Sequence, residues 1–135
     1  MKTEGQRFEK SERLCSRKII SGLFESGKIL HSSFYKVVWN ENSLPQSFPA
    51  QVAFSVSKRG FRHAVTRNLL KRRMREAYRK NKHILYEILD SENIRIAFII
   101  IFRDNSIPDY LSIEKSMNEL ISRLAGQVKE RNKKC

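Results

Sequence analysis

The sequence predicts an α+β fold, helices packed against one sheet, and three patterns carry that prediction. Val52, Phe54 and Val56 alternate with Ala53, Ser55 and Ser57, the period of a half-buried strand. Ile94 to Phe102 is an apolar, β-branched run, as in a central strand covered on both faces. Ile113, Met117, Leu120, Ile121 and Leu124 recur at helical spacing. A chain of 135 residues suits one domain with a real core.

Taken in order, residues 1–10 are polar and expected to be a flexible lead-in. Ser16 can cap a helix that places Ile19, Ile20, Leu23 and Phe24 on one side and stops at Gly27. Phe34 to Trp39 is aromatic and β-branched and reads as a strand. Asn40 to Ala50, with two prolines, reads as a loop, and Gln51 to Ser57 as the next strand. A helix starts near Val65 and extends or restarts through His83–Leu89, with Asp90–Asn93 as the breaker. The Ile94–Phe102 strand follows. The last helix begins at Asp109 or Ser112 and frays after Gly126, leaving a basic flexible tail over 126–135. The order is α-β-β-α-β-α, a single domain over 11–125.

The 27 Lys and Arg exceed the 14 Asp and Glu, giving a net charge of +13. Such an excess suits a polyanion, either nucleic acid or an anionic membrane surface. Membrane insertion is disfavoured, because Ile96–Phe102 is far shorter than the ~20 residues a span requires. Met1 to Gln6 has no apolar stretch of signal-peptide type, so a cytoplasmic protein is expected. Cys15 and Cys135 form no CxxC and no metal spacing with His31, His63 or His83. No metal site is expected in the chain.

The charge is concentrated. Residues 58–82 hold eleven Lys and Arg against one acid, Glu76, and so carry +10 of the +13. At roughly 100° per residue, Arg67, Asn68, Lys71, Arg72, Arg75 and Arg79 fall within about 140° of one helix surface. Leu70, Met74, Ala77 and Tyr78 gather on a neighbouring arc that suits a core. A merely solvated face would mix signs at i,i+4 spacing, and here a single acid, Glu76, stands among eleven cations.

The string Val56-Ser57-Lys58-Arg59, Ala64-Val65-Thr66-Arg67-Asn68, Lys71-Arg72, Arg75-Glu76 and Tyr78-Arg79 resembles the protein component of bacterial ribonuclease P. That family is marked by an Arg-Asn-x-x-Lys-Arg-x-x-Arg helix, the RNR motif. Leu69 stands where many members carry a third basic residue, and the turn Gly60-Phe61-Arg62-His63 departs from the common Val-Gly pattern. The resemblance covers roughly residues 8 to 125. It implies a mostly antiparallel four-stranded sheet with a left-handed β-α-β crossover, a ribosomal-protein-like fold.

It also implies a function. The chain would be the protein subunit of ribonuclease P, an endoribonuclease as holoenzyme only, acting in tRNA 5′ maturation. The catalytic RNA would perform the hydrolysis with Mg²⁺ and would be held by Lys58, Arg59, Arg62, Arg67, Asn68, Lys71, Arg72, Arg75 and Arg79. A cleft between the first helix and the sheet would bind the 5′ leader of precursor tRNA through Ile20, Phe24, Phe34 and Lys36. No obligate protein partner and no membrane are implied.

The residues themselves favour binding over catalysis. Arg forks match phosphate oxygens, and Lys adds mobile point charge. Aromatic side chains such as Phe24, Phe34, Tyr35 and Trp39 could stack single-stranded bases or could simply be core. No acids converge on the basic helix, and the three histidines are scattered, so no catalytic residue is assigned. A ribosomal or assembly RNA-binding protein would share this composition. A DNA-binding regulator would normally add a dimer or a helix-turn-helix pair.

Overall fold

The computed structural model describes residue 8 and residues 10–41, 48–104 and 106–134. The expected lead-in over 1–10 falls mostly outside those residues, but its last part is built into the fold. Phe8 sets its ring edge-on to Phe54 and Tyr78, with centroids 6.0 and 5.8 Å away. Lys10–Glu12 forms one 3-10 turn, and Leu14 donates its N–H to the Val52 carbonyl at 2.9 Å.

Helix α1 spans Arg17–Ser26. Ser16 caps it as expected, its Oγ accepting the Ile19 N–H at 3.3 Å. Gly27 ends it and returns its N–H to the Leu23 carbonyl. A Cβ at position 27 would lie 2.5 Å from that carbonyl oxygen and 2.6 Å from Val38 Cγ1. Only glycine lets the chain turn this close to the sheet.

Strand β1, Lys28–Ser32, was not expected as a separate strand. It runs antiparallel to β2, Tyr35–Glu41, through the two-residue turn Ser33-Phe34, in the register Lys28↔Trp39 to Ser32↔Tyr35. Strand β3 is Ala50–Val56, so the expected loop 40–50 gives Asn40 and Glu41 to β2 and Ala50 to β3. Its middle, residues 42–47, lies outside the described residues. Helix α2 runs without a break from Ala64 to Glu92, stopped by Asn93 in the left-handed conformation at φ 55°.

Strand β4 is Ile96–Phe102, and helix α3 runs from Tyr110 to Lys134. The sheet order is β1-β2-β4-β3, with β3 and β4 parallel and the other two pairings antiparallel. This is the mostly antiparallel four-stranded sheet of the expectation, with α2 joining its parallel pair.

Helices cover both faces. Tyr35, Val37, Trp39, Phe98, Ile100 and Phe102 point into the core beneath α2 and α3. Val38, Ala97 and Ile99 meet Leu23 of α1 on the other face. The tail expected after Gly126 is helix instead. Val128 is buried there, and Trp39 donates its indole N–H to the Gln127 side chain, so packing on both sides of Gly126 offsets its weak helix propensity of about 1 kcal/mol.

Candidate nucleic-acid interface

The basic turn leaves β3 at Ser57. Its hydroxyl accepts the Arg59 N–H at 3.1 Å, and its carbonyl accepts the Phe61 N–H at 3.2 Å. Phe61 lays its ring 5.9 Å from that of Phe102, which anchors the turn on the end of the sheet. Lys58, Arg59 and Arg62 are exposed. Arg67 is engaged within the protein: its guanidinium donates to the Phe61 and Arg62 carbonyls at 2.8 and 2.9 Å. This cation from the first turn of α2 therefore braces the basic turn.

Along α2 the two arcs separate as their spacing predicts. Leu70, Met74, Ala77 and Tyr78 are fully buried, whereas Asn68 and Arg72 are exposed and Lys71, Arg75 and Arg79 half-buried. Arg79 pairs with Glu76 at 2.6 Å. The Arg79 hydrogen bond holds the Glu76 carboxyl below its ordinary range, and Glu76 in turn raises the Arg79 pKa. Arg73 turns aside to donate to the Pro108 carbonyl at 2.7 Å. Arg72 and Arg75 have no hydrogen-bond or ion-pair partner among the described residues.

A hollow of about 550 Å³ lies over this part of α2, lined by Phe8, Arg13, Leu69, Tyr110 and the arginines. Leu69 contributes apolar wall there rather than charge. Lys82 is the cation that departs from this sorting. It stands at about 60° on the cationic arc, counted from Arg67, yet it is only 2% exposed. Glu12 covers it, with Lys82 Nζ 2.5 Å from Glu12 Oε1 and the Tyr86 hydroxyl donating to the same oxygen at 2.5 Å. Sequence spacing could not reveal this, because the partner arrives from 70 residues earlier.

The residues expected to line a leader cleft are divided by the sheet. Ile20 is half-buried, Phe24 is 62% exposed, and both belong to α1. Lys36 lies on the same face, since it stands two residues from Val38 on β2 and opposite Ile101. Phe34 does not join them. It sits in the β1–β2 turn and packs against Phe102 at 6.0 Å, on the side of α2 and α3. Tyr35 and Trp39, 2% and 0% exposed, are core.

Tyr35 donates its hydroxyl to the Ile113 carbonyl at 3.2 Å, and burial raises its pKa. Ile29 was missed with its strand. It is 52% exposed and opposite Val38, so it adds an apolar group to the α1 face.

Among the described residues, no three His, Cys, Asp or Glu side chains gather as a metal site, and no helix is long and apolar enough to cross a membrane. What the surface offers is a cationic helix face and turn on one side and an apolar, Lys36-bearing face on the other. Fold and surface together define a small α+β protein with a strongly cationic face.

The chain belongs to the Ribonuclease P family, whose model matches residues 8–125. It is 38% identical over 123 residues to the ribonuclease P protein component of Porphyromonas gingivalis, covering 90% of this chain and 88% of that one. The protein component of Chlorobium phaeobacteroides is 33% identical over 124 residues, with 84% and 85% covered. Among solved structures, the Staphylococcus aureus RNase P protein superposes with a TM-score of 0.66 at 22% identity, over 84% of this chain and 94% of that one. The Thermotoga maritima RNase P protein gives 0.66 at 23%, over 83% and 96%. At such identity these two bear on the fold, and they match it.

Proposed function

We propose that this chain is the protein subunit of a cytoplasmic ribonuclease P, which removes the 5′ leader from precursor tRNA. The cationic face of α2 and the turn at Lys58–Arg62 hold the catalytic RNA, and the α1 face of the sheet holds the leader. Hydrolysis belongs to the RNA. Mg²⁺, carried by that RNA, supplies the charge stabilisation a phosphodiester displacement needs. The protein lowers the repulsion between two polyanions and favours precursor over product by gripping the leader.

The observation that carries this reading is the sorting of α2. One arc is wholly buried, and its neighbour presents Asn68, Lys71, Arg72 and Arg75 with no acid among them. Within the leader face, Phe24 and Ile29 offer apolar surface for bases and Lys36 a charge for phosphate. Phe34 is left out of that set, because it packs on the opposite side.

Titration with a bacterial ribonuclease P RNA at increasing KCl tests the reading. If about six groups meet phosphate, log affinity should fall against log salt with a slope near −4 to −5. A flat response would remove the electrostatic basis of the assignment.

A further inference from the structure

The cationic surface continues past α2. At the same end of the sheet, a second hollow of about 450 Å³ opens between the β1–β2 turn, the exit of β4 and α3. Its lining is His31, Ser32, Ser33, Tyr35, Arg103 and Arg123. Two backbone contacts fix its shape. The Arg103 N–H donates to the Phe34 carbonyl at 2.7 Å, holding the chain that leaves β4 against the turn. Arg123 donates one guanidinium N–H to the His31 carbonyl at 2.6 Å, seating α3 on the end of β1.

Two guanidinium groups thus converge from the exit of β4 and from α3, while His31, opposite Lys36 in register, turns its ring to the α1 face and contributes its carbonyl. Two acids border the hollow, and Ser33, the partner of one of them, is itself part of its lining. Glu119, one helical turn before Arg123, accepts from the Ser33 hydroxyl at 3.4 Å, and Asp104 accepts from the Ser106 N–H and hydroxyl. The Arg103 guanidinium has no hydrogen-bond or ion-pair partner among the described residues.

The hollow is also placed to share a ligand with the basic turn. Phe102 is in register with Tyr35 on one side and Val56 on the other, so the two sites lie two strand spacings apart, roughly 10 Å. The rings of Phe34 and Phe61 both meet Phe102 and floor the interval. Two guanidinium forks at a polar concavity suit tetrahedral phosphate oxygens better than a flat base.

We propose that Arg103 and Arg123 hold one backbone phosphate of the bound RNA, on a strand that continues from the turn at Lys58–Arg62. The site rests on the ribonuclease P reading and extends its surface around the end of the sheet.

The test uses the full chain with Arg103→Ala and Arg103→Glu, substitutions at a side chain that holds nothing in the fold. Binding of a ribonuclease P RNA, and of precursor tRNA to the assembled holoenzyme, is measured across a salt series. Arg72→Ala/Arg75→Ala serves as the control.

Arg103→Ala should weaken binding of one of these RNAs roughly tenfold at low salt and flatten its slope by about 0.7 to 0.9, with Arg103→Glu weaker still. If neither RNA responds while the control loses affinity, the phosphate site is refuted and the parent reading stands. If the control is also silent, both fall. Inorganic phosphate that saturates the Arg103 guanidinium NMR shifts, with RNA affinity indifferent to Arg103→Glu, would mean a free-anion site and overturn the RNA assignment.

Discussion

Glu12→Ala should destabilise the protein by about 3–5 kcal/mol, the cost of removing one member of a buried ion pair. Glu12 is fully buried and Lys82 is 2% exposed. Their pair also takes the Tyr86 hydroxyl, and the Lys82 ammonium lies 5.4 Å from the Tyr86 ring centre and 5.9 Å from that of Phe48. Without Glu12 a cation and a phenol in a low-dielectric site lose the carboxylate oxygen they share.

Against a typical domain stability of about 5–15 kcal/mol, the melting temperature should fall by about 10–20 °C. Replacing both partners by apolar residues, Glu12→Leu with Lys82→Met, should recover most of the loss, since a well-packed apolar pair often equals a buried ion pair. Urea unfolding of the two variants decides the matter. A Glu12→Ala protein within 1 kcal/mol of the parent, on a scale where surface changes stay within about 0.5, would contradict the burial of this pair.

The second large effect is on assembly. Arg72→Ala with Arg75→Ala should weaken binding to the catalytic RNA by about 3 kcal/mol, roughly a hundredfold, at low salt. The salt slope should become shallower by roughly 1.4 to 1.8, and stability should hardly change. These two cations suit the test better than Arg67, which also braces the basic turn. They also suit it better than Arg79, whose guanidinium is shared with Glu76. Loss of leader affinity with assembly intact would reverse the assignment of the two faces.

The cationic helix was legible because both its stripes are local. Leu70, Met74, Ala77 and Tyr78 recur at a spacing that one helix alone determines, and the arginines beside them follow. Lys82 obeys the same spacing and is buried all the same, since its environment is set by Glu12. Local periodicity has no access to that contact.

Strand β1 was hidden for a related reason. Lys28–Ser32 has two apolar residues, Ile29 and Leu30, and becomes a strand through its ladder with β2. With it went Ile29 of the α1 face. The aromatic run misled in another way: alternation sends Tyr35 and Trp39 into the core, while Phe34 leaves the strand for the turn. Gly126 looked like a helix end until Gln127 and Val128 found partners across the fold. Chemistry concentrated in one segment could be read from spacing; pairing between distant segments could not.

The central claim is a division of labour, binding by the polypeptide and cleavage by RNA. Precursor tRNA incubated at low Mg²⁺ with the purified chain, with a bacterial ribonuclease P RNA, and with both, tests it directly. The account predicts no cutting by the chain alone, little by the RNA alone, and strong release of the 5′ leader when the two are combined. Cleavage by nucleic-acid-free protein, or no stimulation of the RNA, would contradict it.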